Sequence, residues 1–370
     1  MYANSTAKIT EQAMGIILTI TALLLTAATL LPMLKARHWL IRGLDFPRLQ
    51  IAMLLIVWLV VALLGLIAAW WAIGVLWWSM VIVCLSYQLW WIAPYSPFYP
   101  VEAARAKNKN LPQFSLLTSN VLMGNRDASR LIALVNEHCP DVLATLESDS
   151  WWQTKLDVLD AYPHRLACPL DNKYGMHVYS RLPFQATAIE YLVENDVPSM
   201  NLVVELNEKT TIRLHVVHPR PPAPGENTRS TERDVELLIL AQHLDSVEGP
   251  LIVSGDLNDV AWSRTTRLFR RLSGLLDIRI GRGMFNSFHA DYSFIRWPLD
   301  HFFVSTHFQV LEIKRLGHIG SDHFPVFTRL VLGQSDPDAA QLDLEDADQD
   351  LIEETMDTKV AAKASTPEIH

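Results

Sequence analysis

Leu251-Ile-Val-Ser-Gly-Asp-Leu-Asn258 combines a β-rich apolar run with a carboxylate and an amide placed directly after it. A second stretch, Gly320-Ser-Asp-His-Phe-Pro325, puts a carboxylate and an imidazole just before the apolar run 326–332. Functional groups at the loop ends of a rigid sheet are the usual placement for a site. A single Asp or Asn after a strand is more often a turn residue that hydrogen-bonds its own backbone. The two stretches therefore indicate a functional site only if other polar groups lie at the ends of neighbouring strands.

Further polar residues do stand at the ends of apolar runs. Asn120 and Glu147 each close such a run, His218 ends the strand pattern 215–218, and Asp300 opens another. Together with Asp256, Asn258, Asp322 and His323 they form a set that is hard to explain by turns alone.

The segment that carries this set alternates short β-rich runs with helical patterns, which predicts an α/β domain over 112–332. Helical spacing of apolar residues predicts helices at 127–138 and 231–244. The predicted strands are 114–117, 142–146, 177–179, 211–217, 251–253, 301–304 and 326–332.

The residue types point to metal-assisted hydrolysis of a phosphate ester. Glu147 has no cationic neighbour in sequence, which suits a Mg²⁺ site built from oxygen ligands and water. Asp256 with His323 would supply a base and a partner for phosphate charge. Three cysteines without a C-x-x-C spacing exclude a disulfide framework and a thiolate zinc site.

The order of these blocks resembles the endonuclease/exonuclease/phosphatase superfamily, a group that includes nucleases, inositol-polyphosphate phosphatases and sphingomyelinases. The similarity extends over about 111–332 and includes the block Tyr174-Gly-x-x-x-x-Ser-Arg181-x-Pro183. Membrane-tethered bacterial members resemble the whole architecture. The resemblance implies a four-layer α/β/β/α sandwich with one metal-dependent site, using Mg²⁺ with Mn²⁺ as an alternative.

The resemblance also implies a role for each site residue. Glu147 would bind the metal with Asn120 beside it and Asp322 next to it. Asp256 would position or deprotonate the attacking water, and His323 would contact the phosphate. Asp300 would orient His323, and His218 would be a second catalytic imidazole. Asn258 and Arg181 would hold the substrate.

Two departures bear on the branch of the family. Leu122 stands where abasic-site endonucleases carry an Asp, and Ser119 replaces a Trp often found before the Asn. His218 stands where those enzymes lack a His. The repair branch is therefore disfavoured, and the deoxyribonuclease-like and sphingomyelinase-like branches stay open.

The first hundred residues predict a membrane region. Residues 14–34 carry no charge, and residues 49–93 form a second uncharged run long enough for two spans. We predict three transmembrane helices at about 14–34, 49–69 and 73–93, with a turn near 70–74. A cleaved signal peptide is disfavoured because the first run lacks a basic n-region. Tryptophans lie near the predicted ends, as in aromatic belts: Trp70, Trp71, Trp77, Trp78, Trp90 and Trp91.

Charge divides the chain further. Residues 1–111 carry +5, residues 112–332 carry −5 and residues 333–370 carry −9, for a net charge of −9. Basic residues in the first loop and after the third span predict a multi-pass cell-membrane protein whose catalytic domain is cytoplasmic. If only two helices span the membrane, the catalytic domain is instead on the outside. Residues 101–111 are predicted to be a linker. The acidic segment 333–370 is predicted to be a mostly disordered tail.

The substrate is left open by the sequence. An endonuclease-like phosphodiester hydrolase is predicted first, a phospholipid or other phosphate-ester hydrolase is the alternative, and a non-catalytic membrane scaffold is the third. A domain at −5 lacks the broad basic surface of a non-specific duplex binder. Seven arginines between Trp262 and Trp297 are either a phosphate track or a solvated helix face. No protein partner is evident.

Overall fold

The computed structural model describes residues 2–34, 36–68, 74–336 and 344–367. The chain divides into two units, Met1–Pro94 and Tyr95–His370. Each unit is described by itself.

The N-terminal unit is helical. Its helices are α1 (Tyr2–Leu30), α2 (Trp39–Arg42), α3 (Arg48–Ile67) and α4 (Val75–Ile92). Three segments are long and apolar enough to cross a membrane: Gln12–Met33, Arg48–Ile67 and Val75–Tyr95. These agree with the three predicted spans. The predicted boundaries at 69 and 73, with Trp70 and Trp71, lie outside the described residues.

Side chains explain how these helices pack. Leu55, Trp58 and Val81 form the centre of their shared apolar core, and Trp58 Nε1 donates to Leu18 O at 2.8 Å. Large apolar side chains such as Leu24 and Val83 point outward. Helices that are apolar all round suit a lipid surrounding better than water.

The second unit contains two six-stranded mixed sheets. The first sheet has the order β11-β12-β1-β2-β4-β3, and the second has the order β5-β6-β7-β8-β10-β9. The strands are β1 (Gln113–Asn120), β2 (Val142–Leu146), β3 (His164–Cys168), β4 (Met176–Ser180), β5 (Phe184–Glu190), β6 (Ser199–Asn207), β7 (Thr210–Val217), β8 (Leu251–Asp256), β9 (Leu276–Asp277), β10 (Asp300–Val304), β11 (Phe308–Arg315) and β12 (Val326–Leu332).

Helices cover the outer face of each sheet, so the predicted four-layer sandwich is confirmed. Helices α5 (Ser129–His138) and α6 (Ser150–Leu156) pack on the first sheet. Helices α7 (Thr231–Leu244) and α8 (Arg264–Ser273) pack on the second. The largest apolar core lies between the two sheets, where strand residues such as Leu116 of the first sheet and Ile252 of the second sheet face each other's sheet.

Strand direction decides where the polar residues meet. Strand β1 runs parallel to β2, and β7 runs parallel to β8, so the carboxyl ends of each pair share one edge. Strand β10 is antiparallel to β8 and begins where β8 ends, with Asp300 opposite Asp256.

The segment predicted to be a linker, 101–111, is partly an ordered piece of the second unit. Ala104 O accepts from Val310 N at 2.8 Å, which adds this segment beside β11. Glu102 pairs with Arg270 and accepts from Asp277 N at 2.7 Å. Composition missed this because the carboxylate finds its partners far along the chain.

The acidic tail differs from the prediction of disorder. Among its described residues, Asp346–Met356 forms helix α9, whose N-terminus is closed by a capping box between Glu345 and Asp348. Leu351 packs on Leu238 and Leu268. Acidic composition predicted a solvated chain, whereas capping and apolar spacing allow a docked helix.

Candidate active site

The candidate site is built where strands of both sheets end. Asn120 is the last residue of β1, Glu147 follows β2, and His218 follows β7. Asp256 ends β8 and Asp300 begins β10. The ladder places Asn120 opposite Leu146, so the Glu147 side chain emerges beside it.

Asn120 bridges the two sheets. Its Nδ2 donates to Glu147 Oε1 at 3.0 Å and to Asp256 Oδ2 at 3.2 Å. Its Oδ1 accepts from the backbone N of Leu122 at 3.1 Å, which fixes the orientation of the amide. Glu147 and Leu122 both have φ of 58°, in the left-handed region that non-glycine residues seldom adopt. Such backbone outliers concentrate at functional sites.

Two imidazoles converge on Asp256. His323 Nε2 lies 3.4 Å and His218 Nε2 3.7 Å from Asp256 Oδ2. The other ring nitrogen of His323, Nδ1, lies 2.8 Å from Asp300 Oδ2. His323 is therefore held between two buried carboxylates. Asp300 Oδ1 and His218 Nδ1 are buried without a hydrogen-bond partner among the described residues.

This arrangement separates the charge states of the two imidazoles. Burial alone would lower the pKa of His323, but Asp256 and Asp300 outweigh it and raise that pKa to about 10. Burial lowers the pKa of His218, and Asp256 opposes this only in part. Burial also raises the pKa of Asp256. A protonated His323 thus lies beside a neutral His218 and a carboxylate whose proton affinity is increased.

The Gly255-Asp256-Leu257-Asn258 turn is supported by backbone geometry and by a buried ion pair. A Cβ on Gly255 (φ 150°) would lie 1.9 Å from Val217 O, so only glycine fits. Asn258 N donates to Asp256 Oδ1 at 2.9 Å, and Asn258 Nδ2 donates to Pro219 O at 3.0 Å. Arg233 donates to Asn258 O at 2.7 Å and pairs with Asp259 at 2.9 Å.

The donor set near Glu147 fits Mg²⁺. Burial raises the pKa of the Glu147 carboxyl, and the nearby negative charge of Asp322 raises it further. A bound cation would offset the repulsion between these two carboxylates. Within the described ranges, no group of three or more His, Cys, Asp and Glu side chains is positioned to hold a metal ion. Proteins usually bind Mg²⁺ through one or two carboxylates, leaving several waters and substrate oxygens as the other ligands.

Arg181, predicted to bind substrate, does not join the site. It follows Ser180, which pairs with Val142 at the start of β2, whereas Glu147 follows the end of that strand. Its guanidinium donates to Cys139 O at 3.4 Å. The motif placed Arg181 near the site in sequence, but the antiparallel direction of β4 carries it to the opposite edge of the sheet.

Several residues around the site were missed by sequence reasoning. Arg220 lies over the Tyr174 ring at 4.6 Å, and that ring lies 5.4 Å from the His218 ring. Phe288 lies 4.9 Å from the His323 ring. Ser287 Oγ accepts from Asp300 N at 3.1 Å. Arg220, Ser287 and Phe288 lie in loops with no local motif, so no sequence pattern distinguishes them.

The comparisons with known proteins agree with this geometry. A model of the Endonuclease/Exonuclease/phosphatase family matches residues 117–323, and the chain belongs to this family. Members of the family are phosphoesterases, including nucleases and phosphatases. No curated protein matches the sequence significantly.

Several solved structures are similar to this chain at low sequence identity. D. rerio TDP2, humanised by 14 mutations, is 14% identical with a TM-score of 0.51 and covers 59% of this chain and 99% of its own. The human nocturnin catalytic domain with bound sulfate is 17% identical with a TM-score of 0.46 and covers 62% and 96%. A mannosyl-6-phosphatase from Bacteroides thetaiotaomicron is 16% identical with a TM-score of 0.46 and covers 59% and 99%.

Proposed function

We propose that this chain is a membrane-anchored, Mg²⁺-dependent phosphodiester hydrolase. The observation that carries the proposal is the convergence of His323, His218 and Asn120 on Asp256, beside the carboxylate of Glu147. Metal-assisted phosphoryl chemistry needs a base, a cationic partner for the phosphate and an oxygen-rich metal site in one place.

The side chains divide the reaction among themselves. The Asp256 carboxylate accepts a proton from water, which adds to phosphorus as one P–O ester bond breaks. The displaced oxygen takes up a proton from solvent water, and Asp256 releases its proton to solvent, so the products are a phosphomonoester and an alcohol. Protonated His323, oriented by Asp300, donates from Nε2 to the phosphate as negative charge develops there.

Residues around this centre would hold the metal and the substrate. Glu147 and Asp322 would bind Mg²⁺, with the Asn120 amide beside them. When bound, the ion would act as a Lewis acid toward the phosphoryl oxygens and lower the pKa of water. Asn258 would hold a second phosphate oxygen, and neutral His218 would accept or donate a hydrogen bond to the substrate beside Asp256 Oδ2.

Turnover of a small phosphodiester tests the proposal directly. The full chain in detergent is assayed on bis(p-nitrophenyl) phosphate with Mg²⁺ and with EDTA. We expect hydrolysis that requires Mg²⁺ and that falls at least ~10³-fold in Asp256→Ala. Asp245→Ala, an exposed acidic residue after α7, is the matched control. Hydrolysis that survives EDTA, or that Asp256→Ala leaves intact, contradicts the proposal.

The endonuclease-like activity predicted first is tested with the same preparation. Supercoiled plasmid is offered with Mg²⁺, and Asp256→Ala controls for contaminating nuclease. Mg²⁺-dependent nicking that requires Asp256 would support nucleic acid as substrate. An intact plasmid alongside hydrolysis of the small diester would exclude it.

A further inference from the structure

Loop 281–299, the part of the connection between β9 and β10 that precedes β10, exposes a cluster of apolar side chains. Tyr292 is 58% exposed, Phe294 is 82% exposed and Ile295 is 47% exposed. All of residues 291–295 are exposed. Soluble proteins seldom present several large apolar side chains together unless the surface meets a partner or a membrane.

This loop lies directly against the candidate active site. Phe288 contacts the ring of His323, with 4.9 Å between the centroids. Ala290 N donates to Asp322 O at 2.7 Å, and Phe324 N donates to Ser287 O at 2.8 Å. A ligand that contacts residues 291–295 is therefore a close neighbour of the reacting groups.

Two guanidinium groups accompany the apolar cluster. Arg296 and Arg315 lie over the ring of Phe324, at 5.0 Å and 4.5 Å from its centroid. Both donate to backbone carbonyls, and neither forms an ion pair with a carboxylate in the part of the chain that the structure describes. Burial and the neighbouring charge of Arg296 lower the pKa of Arg315. An anionic group would relieve the repulsion between the two cations.

The segment that follows the third candidate span is docked close to the site. Tyr95, the last residue of that span, donates from Oη to Ala261 O at 2.9 Å. Its ring packs edge-on against Trp262 at 5.8 Å. Ala261 is three residues after Asn258, so the two Cα atoms are at most ~11 Å apart. Tyr95, the first residue of the second unit, therefore lies close to the Gly-Asp-Leu-Asn turn.

The base of loop 281–299 is held by the same segment. A Cβ on Gly281 would lie 2.7 Å from the Pro100 backbone, so the two backbones are in close contact. Arg282 donates to Ala103 O at 2.6 Å. Pro100 and Ala103 follow Tyr95 by five and eight residues. Residues 100–103 and the base of this loop thus pack together within the second unit.

We propose that residues 291–296 with Arg315 bind the surface of a bilayer containing anionic lipids, and that the substrate is a phosphodiester of a membrane phospholipid presented there. Aromatic and aliphatic side chains flanked by Arg are the composition that inserts at the headgroup boundary. The substrate part of this inference rests on the proposed function, and the membrane part does not.

The arginines between Trp262 and Trp297 favour lipid over nucleic acid. Arg270 pairs with Glu102, and Arg279 pairs with Asp277 at 2.7 Å. Arg271 pairs with the tail at 2.6 Å. Since these guanidinium groups are engaged within the protein, they do not form the phosphate track that a polyanionic strand would need.

Membrane insertion of this loop can be measured by fluorescence, independently of any catalytic activity. In a Cys139→Ser background, which removes the exposed cysteine, Ser293→Cys is labelled with an environment-sensitive NBD fluorophore. The full chain is reconstituted into phosphatidylcholine vesicles with and without phosphatidylglycerol. We expect a blue-shifted emission that nitroxide-labelled lipids quench, stronger with phosphatidylglycerol. Exposed Val158→Cys is the matched control and should stay in water. Equal emission and quenching at the two sites would overturn the membrane contact.

The cationic half is tested by Arg296→Gln with Arg315→Gln. These changes should abolish the effect of phosphatidylglycerol on the NBD emission at position 293. Quenching of that fluorophore in neutral vesicles should remain. An undiminished dependence on phosphatidylglycerol would overturn the role of the two arginines.

Turnover separates the substrate class from the proposed chemistry. Phe294→Ser with Ile295→Ser is compared with Val158→Ser on vesicles of phosphatidylcholine, phosphatidylethanolamine, phosphatidylglycerol and sphingomyelin, with phosphate-ester release as the readout. We expect the rate of phosphate-ester release from vesicles to fall about tenfold or more in the double variant, while turnover of bis(p-nitrophenyl) phosphate is retained.

Turnover of that soluble diester or of plasmid, with no release from any lipid, would overturn the lipid substrate. If neither soluble diester nor lipid is cleaved while Ser293 inserts, the proposed function fails and the membrane contact stands.

Discussion

His323 lies between two carboxylates that have different tasks. Asp300 fixes the ring through Nδ1 at 2.8 Å, while Asp256 lies 3.4 Å from Nε2, the nitrogen that faces the site. An aspartate that orients an imidazole and stabilises its protonated form makes one functional unit with it. Losing either member should therefore disable the other.

Asp300→Asn keeps the shape of this contact and removes its charge. We expect the kcat for bis(p-nitrophenyl) phosphate to fall by about 10²-fold or more, because protonated His323 is no longer stabilised or aligned. The single variants Asp300→Asn and His323→Gln are compared with the double variant. The double variant should be about as slow as His323→Gln alone, since residues that act as a unit are non-additive. Losses that multiply would show that Asp300 acts independently.

Gly255 should tolerate no side chain. Alanine there brings Cβ to 1.9 Å from Val217 O, so β7 and β8 must separate near Asp256. We expect Gly255→Ala to lower the free energy of unfolding by about 3 kcal/mol or more. Gly225→Ala is the matched control, because Gly225 also has positive φ (89°) but open space around it. That variant should lose about 1 kcal/mol. If urea unfolding showed the same loss of unfolding free energy in both variants, the positive φ alone, and not the close contact with Val217, would account for the destabilisation.

Sequence predicted most of the residues that the structure brings together, because they end strands or belong to blocks with a fixed order. Asn120, Glu147 and Asp256 are linked by direct hydrogen bonds. Their assigned roles remain predictions. Arg233, which supports the Asn258 turn, was not predicted, since it lies on α7 and no pattern announces a partner 25 residues away. Arg181 was assigned wrongly because a motif does not report strand direction.

Elements were predicted where an apolar run is continuous, and several others were missed, among them strands β3, β6 and β11 and helices α6 and α8. Strands β2 and β12 and helix α7 have their predicted boundaries. Strand β5, with every residue exposed or partly buried, and the two-residue strand β9 were missed. Their pairing partners, rather than their own apolar pattern, determine them. Helix α9 shows the same limit in an acidic segment.

The segment after the third candidate span is expected to stabilise the catalytic unit. Glu102 is the carboxylate partner of buried Arg270, and it also accepts from Asp277 N. We expect Glu102→Leu to cost about 3–5 kcal/mol, because it leaves a buried guanidinium unpaired. Glu102→Leu with Arg270→Met removes both charges and should recover most of that loss. Urea unfolding of a soluble form that begins at Tyr95 measures both variants. A double variant no more stable than the single one would contradict this role.

At the scale of the whole molecule, charge had to be divided along the chain before it became informative. The net charge of −9 describes neither the basic N-terminal region nor the catalytic domain. The arginines of 264–282 could be a phosphate track by sequence, yet Arg270 and Arg271 pair with carboxylates distant along the chain. Arg279 pairs with the nearby Asp277. Only tertiary contacts reveal which charges of a domain remain available to a ligand.

Acid should destabilise the catalytic unit through histidines that are buried as neutral rings. Burial lowers the pKa of His177 to about 4 and those of His215 and His301 to about 3. Below the ordinary pKa of about 6.5 the unfolded chain binds protons that the folded chain does not, so stability falls as the pH decreases from 6.5 toward 4.

His177 provides the sharpest test, because neither ring nitrogen has a hydrogen-bond partner among the described residues. For a folded pKa of about 4, lowering the pH from 7 to 5 costs about 2 kcal/mol. His177→Leu should therefore lose about 2 kcal/mol less than the native chain over that interval, measured by urea unfolding of the form beginning at Tyr95 at both pH values. An unchanged pH dependence would mean that His177 takes up a proton as readily in the folded chain as in the unfolded one.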